Sequence, residues 1–228
     1  MDLEYYYNNV SGKGLCRNNL IYTSLISTDR KVFVQHYVND TDYHKGQNQV
    51  VDPAKMNEKW AREVQYLTHM ATNAPDLVPR ILDIDLINKK IYLEIDGVDF
   101  WQRSLDADCA FDQILPDWQE QMLNIIKTHR HLGLYKYSMH PSSYFIVGGK
   151  LKSINYFFTY NEADTPISIA DVESHISVDR QAELRKYLDQ MGIVWDQPQD
   201  FKRLEQLCWD SFSNNYPADF INKVKSIL

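Results

Sequence analysis

The stretch whose polar side chains say most about chemistry is residues 131–160, HLGLYKYSMHPSSYFIVGGKLKSINYFFTY. One loop there holds Ser138, His140, Ser142 and Ser143, and Asn155 follows a hairpin pattern. These residue types restrict the chemistry. A serine hydroxyl is neutral near pH 7 and cannot act there as a carboxylate base, and an asparagine amide is a poor, uncharged ligand for a hard dication. His140 is the titratable group of the loop and is not expected to replace a missing base. His129 and His131 stand two apart, which on a helix turns them in different directions, so they are expected as helix-terminal or surface side chains rather than ligands of one metal. Cys16, Cys109 and Cys208 are far apart and in no ligand spacing, which predicts reduced thiols and no structural metal.

The elements around these residues follow from periodicity. Leu132, Gly133 and Leu134 end a helix over 119–131 whose buried side is Met122, Leu123, Ile126 and Leu132. Residues 144–147 are a continuous apolar strand, Gly148 and Gly149 a turn, and 150–154 a strand of period two. Upstream, strands are expected over 3–8, 20–26 and 31–38, with Gly12, Gly14 and Arg17 in the turn between the first two. A helix capped at Asp52–Pro53 runs to about Thr72, with Trp60, Val64, Leu67 and Met70 at helical spacing. Residues 78–95 form two strands joined at an Asn-Lys turn and ending in Glu94-Ile95-Asp96-Gly97. A helix begins in 98–105, a polar connection covers 106–112, and 161–166 is a loop. Three helical patterns, 177–191, 198–211 and 217–228, complete the chain.

Taken together, the order and spacing of these elements over about residues 3–160 resemble the protein-kinase-like superfamily, closest in pattern to aminoglycoside-phosphotransferase-like and other small-molecule kinases. There a helix leads into a loop of the form His-Arg/Gly-Asp-Leu-x-Pro-x-Asn, then a hairpin and Ile-Asp-Phe-Gly. The resemblance implies an α+β, bilobal fold. Residues 1–96 would be the N-lobe, a five-stranded antiparallel sheet plus one helix, and 97–228 a reduced, mainly helical C-lobe. Residues 94–97 would be the hinge that carries adenine in such kinases.

Kinases use a strand lysine on the α- and β-phosphates, a loop aspartate that takes the acceptor proton, a loop asparagine on magnesium and a further aspartate bridging metal and phosphates. The matching positions here are Gln35, Ser138, Ser143 and Asn155, each neutral. Lys31 is the nearest rescue for the lost lysine. Glu63 sits where the kinase helix supplies the glutamate that pairs with that lysine, so its expected partner is Gln35, through a hydrogen bond; alternatively Glu63 is a solvated residue on the polar face of its helix. Gly12, Gly14, Arg17, Gln35 and Glu94 would line a vestigial cleft, with Arg17 in place of a third glycine.

What the resemblance implies is a catalytically inactive pseudokinase that works through a protein partner, as scaffold, regulatory subunit or assembly component, including a component of a virus or similar assembly. No cofactor is expected, and ATP binding is doubtful. The alternative is a divergent nucleotide-using phosphotransferase whose metal ligands come from Asp83, Asp85, Asp171 or Glu173, carboxylates without diagnostic spacing.

Composition narrows the partners. A net charge of −7 over 228 residues, with no long basic run, argues against nucleic acid and anionic membranes. No apolar run reaches the ~18 residues of a span, and the opening MDLEYYYNN lacks a signal-peptide profile, so a cytoplasmic location is expected. Fifteen tyrosines and five tryptophans suggest an aromatic contact surface, unless they are packed inside.

Overall fold

The computed structural model describes residues 17–18, 23–37, 53–164, 186, 189 and 201–228. The expected strand over 3–8, with Gly12 and Gly14, Cys16, Asp171, Glu173 and most of the helix over 177–191, lies outside the described residues; Lys186 and Asp189 are helical. The described fold is mixed α/β, with an antiparallel sheet and several helices.

Five strands form that sheet: β1 (Arg17–Asn18), β2 (Thr23–Ile26), β3 (Val32–His36), β4 (Ile81–Asp85) and β5 (Lys90–Glu94). Their order is β1-β2-β3-β5-β4, and every neighbouring pair is antiparallel. Side chains alternate across a strand, so β3 splits its residues between two faces. Val32 and Val34 pack with Tyr92 on one face, while Phe33 and Tyr37 enter the main core on the other.

Between β3 and β4 runs α1 (Pro53–Asn73), with Pro53 at its first position, where a missing N–H costs nothing. Its buried stripe is Met56, Trp60, Glu63, Leu67 and Met70, spaced by three and four residues. Tyr37 meets Trp60 with ring centroids 5.3 Å apart, which ties the sheet to the helix.

After β5 come α2 (Phe100–Ala107), capped by the Asp99 side chain accepting from the Gln102 N–H, then α3 (Phe111–Ile114) and α4 (Trp118–His131). The stretch expected as a polar connection therefore contains a short helix, because Phe111 is drawn into the core against Phe100, at 4.4 Å between ring centroids. α4 buries Trp118, Met122, Ile125, Ile126 and His129.

Beyond α4, β6 (Leu134–Lys136) pairs antiparallel with β9 (Thr159–Asn161), and β7 (Tyr144–Val147) with β8 (Lys150–Ser153). Both Gly148 and Gly149 have positive φ, 58° and 74°, the backbone that a two-residue hairpin turn needs and that glycine adopts without strain. The β6–β9 sheet takes in Leu134, expected as a helix end, and Lys136 and Asn161, expected in loops: Tyr135 opposes Tyr160, and that pair buries both rings.

The main core gathers the inner face of the sheet, α1 and the β7–β8 hairpin through Phe145, Ile154, Tyr156 and Phe157. A second core is built from α2, α3, α4 and α6 (Ala218–Lys225), together with Trp209 of α5 (Phe201–Ser211). α5 also covers the β6–β9 sheet, with Phe201 stacked on Tyr160 at 5.6 Å. Every described tyrosine is buried, as are Trp60, Trp118 and Trp209. The aromatic content is thus used inside the protein at these positions, which corrects the expectation of an aromatic contact surface for the described tyrosines and these three tryptophans; Trp101 is half-buried, and Trp195 lies outside the described residues.

Candidate functional site

Strand parity sets Gln35 between Phe33 and Tyr37 on the inner face of β3, where it is fully buried. Beneath it lies the end of the β7–β8 hairpin. Asn155 leaves β8 with a left-handed backbone, φ 66°, a region that asparagine tolerates better than most residues. That turn aims its side chain back into the core. The Gln35 amide donates to Asn155 Oδ1 at 3.0 Å, and Asn155 Nδ2 donates to Ser143 Oγ at 3.0 Å. Three of the four positions aligned with kinase chemistry therefore form one buried, uncharged chain of hydrogen bonds.

Ser138 stands apart from that chain. It is half-buried, and its carbonyl accepts from the Lys136 ammonium. Glu63 does not pair with Gln35 as expected: Gln35 is engaged by Asn155, and Glu63 Oε2 accepts the Phe157 N–H at 2.7 Å. The alternative reading of Glu63 as a solvated residue is also corrected. It is wholly buried, because it lies three residues after Trp60 and four before Leu67 on the buried stripe of α1.

Lys31, the rescue candidate, precedes β3 and bonds Asp96 at 2.7 Å, with over half of each side chain exposed. Glu94 is likewise spent on an outward ion pair with Arg80, at 2.8 Å. Arg17 contributes its β1 backbone, paired with Ser24. Asp83 is exposed, and Asp85 closes the β4–β5 turn by accepting the Ile87 and Asn88 N–H groups. Among the described residues no group of three or more His, Cys, Asp or Glu side chains could hold a metal. No described helix is long and apolar enough to cross a membrane.

Around the neutral chain the protein buries a few ionisable groups that sequence reasoning missed. Lys136 is buried above the rings of Tyr144 and Tyr156, at 5.3 and 5.7 Å. His129, expected near the surface, is buried with Nε2 3.1 Å from the Tyr156 hydroxyl, because it falls on the same face of α4 as Met122 and Ile125. Burial, and to a lesser degree Lys136, pushes His129 down to about 3, so it is a neutral imidazole. His131 is exposed as expected.

Burial raises the Glu63 carboxyl to about 7, against the opposing pull of the Tyr37 hydroxyl, the Lys136 charge and the Phe157 and Tyr156 amides. Burial lowers Lys136 to about 7, against the attraction of Glu63. These shifts act in opposite pH ranges. The stability Glu63 confers is complete below its unfolded value of 4.5 and is lost as pH rises through about 7. That of Lys136 is complete above 10.5 and is lost as pH falls through about 7. The pair therefore places a minimum of stability near neutral pH. Urea unfolding of the wild type and of the Glu63→Gln, Lys136→Met double variant at pH 5, 7 and 9 is expected to show the wild type at its greatest relative disadvantage at pH 7.

Helix α1 is bonded to residues 156–164 along its length. Lys59 Nζ donates to the Tyr160 hydroxyl at 3.0 Å, Glu63 takes the Phe157 amide, and Tyr66 donates to Asp164 Oδ2 at 2.7 Å. Arg62 reaches the same Asp164 oxygen at 3.3 Å and lies 4.1 Å over the Tyr160 ring. The helix and the segment following Asn155 are held as one unit.

The connection after β5 is also committed internally. The N–H groups of Ile95 and Gly97 donate to the carbonyls of Lys31 and Arg30, both at 2.9 Å. From α2, Arg103 donates to the carbonyls of Asp96 and Val98.

No protein-family model matches this chain, and no curated protein matches it. Among solved structures, a crystal structure of WbdD at 12% identity has a TM-score of 0.46 and covers 90% of this chain and 46% of that one. WbdD co-crystallised with the kinase inhibitor LY294002 gives 12%, 0.45, 89% and 46%, and a structure described as the bifunctional kinase-methyltransferase WbdD gives 12%, 0.41, 87% and 44%. The chain spans less than half the length of the WbdD chains.

Proposed function

We propose that this chain is a protein-kinase-like fold without kinase chemistry: a pseudokinase that acts by binding another protein, as scaffold, regulatory subunit or assembly component. In this reading residues 1–96 and 97–228 are its two lobes, joined near the 94–97 connection. Support for the fold comes from the sheet order β1-β2-β3-β5-β4, from α1 inserted after β3, and from a hairpin that ends at Asn155 beneath Gln35.

The observation that carries the proposal is the hydrogen-bonded chain Gln35–Asn155–Ser143. Phosphoryl transfer depends on positioning and on charge neutralisation by metal and lysine. At these three positions the side chains supply no charge and bond to one another. The committed backbone of residues 95–98 adds to this, since a nucleotide base recognised there would compete with bonds the protein already makes. The ionisable groups nearby are occupied structurally, Glu63 on the Phe157 amide and Lys136 on the Ser138 carbonyl.

A thermal-shift titration with ATP, with and without magnesium or manganese, tests the reading. A ligand at 100 times its dissociation constant stabilises by ~2.7 kcal/mol. The expected outcome is a flat melting temperature at millimolar nucleotide. A saturable, metal-dependent rise would favour the divergent phosphotransferase instead.

A further inference from the structure

The backbone turn at Asp96–Val98 presents acceptors to one side chain. Arg103, projecting from α2, donates through Nη2 to the Asp96 carbonyl and, at 3.3 Å, to the carbonyl of Ile146 in β7; its Nε donates at 3.3 Å to the Val98 carbonyl. Three carbonyls from two separate segments thus converge on one planar guanidinium. Gly97 completes the cradle. Its φ is 93°, a backbone that side chains rarely adopt, and a Cβ placed there would stand 3.0 Å from Arg103 Nη2, so the guanidinium would have to give by a few tenths of an ångström.

Beside this contact is an open groove of about 480 Å³. Its carboxylates are Asp96 and Asp106, already accepting from Lys31 at 2.7 Å and Gln102 at 2.6 Å; Arg30 also lines it. Where Arg103 binds, the wall supplies carbonyl oxygens, and a site made of acceptors selects a ligand made of donors. A flat guanidinium with five N–H groups suits it in a way that a carboxylate or phosphate does not.

We infer that the Asp96–Val98 turn and Ile146 form a recognition subsite for a planar, N–H-rich cation of the guanidinium or amidinium class, and that this chain fills the subsite with its own Arg103. Arg103 is a plug acting in cis: it joins the connection after β5 to β7 and keeps ligands of its own class out. The inference rests on the proposed reading of residues 94–97 as the junction between lobes, but its test does not involve nucleotide.

Methylguanidinium chloride at 0 to about 20 mM, below the range in which guanidinium denatures, is titrated against the full chain and against Arg103→Ala, with sodium chloride at equal ionic strength as control. The wild type should not respond. Arg103→Ala should melt lower than wild type and recover part of that loss along a saturable curve. Arg103→Lys, which keeps one charged donor and the long stem, should fold even where the alanine variant does not, and should respond less than the alanine variant or not at all. A folded Arg103→Ala protein with no saturable response overturns the inference, as does an equal response from the wild type. If only the lysine variant folds, amide hydrogen exchange at Gly97 decides: exchange faster than wild type supports a role for the planar fork, and unchanged exchange overturns it. An ATP response of the wild type would instead count against the pseudokinase reading and leave this one standing.

Discussion

Replacing Glu63 with alanine is expected to lower the free energy of unfolding by about 1–3 kcal/mol, the cost of leaving a buried donor without its acceptor. The groups that lose their complement include a backbone amide and an ammonium. The Phe157 N–H, which donates to Glu63 at 2.7 Å, is left in the core, and Lys136 loses the carboxylate that favours its charged form. Adding Lys136→Met to the variant removes the stranded charge and should restore a large part of the loss, since replacing both members of a buried pair by well-packed neutral groups is often close to neutral. A double-mutant cycle by urea denaturation measures the coupling, expected at about 1–3 kcal/mol. Strictly additive single effects would show that Glu63 and Lys136 do not sense one another.

Trp118→Ala is the second large effect, expected at about 3–5 kcal/mol, as for other buried aromatic truncations. Trp118 is fully buried at the start of α4, with ring centroids 5.3 Å from Phe111, 4.6 Å from Phe220 and 6.1 Å from Tyr216. It therefore joins α3 and α4 to α6 and the turn before it. The cavity left by the indole cannot close without moving three elements. Because Trp118 belongs to the second core and Glu63 lies on the buried stripe of α1 against the first, the two substitutions should add to within about 0.5 kcal/mol. A much smaller loss for Trp118→Ala, in denaturant unfolding followed by circular dichroism, would mean that α6 is not seated on α4 in solution.

Much of this architecture could be read from the chain because its signals are local. The spacing of Trp60, Leu67 and Met70 behind Pro53 marks α1, and Gly148–Gly149 between two apolar runs marks the β7–β8 hairpin. Strand parity alone puts Gln35 on the face shared by Phe33 and Tyr37. The same reasoning, carried further, buries two residues for which the sequence also admits a solvent-facing reading. Glu63 is in phase with Trp60 and Leu67, and His129 with Met122 and Ile125, but a charged or titratable residue invites a solvent-facing reading even when its phase says otherwise.

Other features have no local signal. Lys136 is buried because β6 pairs with β9, a contact of two three-residue strands separated by the whole of β7 and β8. The bond from Gln35 to Asn155 spans 120 residues, and the turning of Asn155 toward it depends on a single left-handed backbone angle. Arg103 could be placed on a helix, but its convergence on the carbonyls of residues 96, 98 and 146 is a property of the folded chain.

In the proposed reading, the neutral Gln35–Asn155–Ser143 chain stands in place of the charged groups that move a phosphoryl group. The most direct test of that reading is single-turnover and steady-state release of the ATP γ-phosphate by the pure protein in magnesium and in manganese, alongside Asn155→Ala as control. The account predicts no release above the buffer rate from either protein under either metal. Metal-dependent release by the wild type that disappears in Asn155→Ala would contradict it.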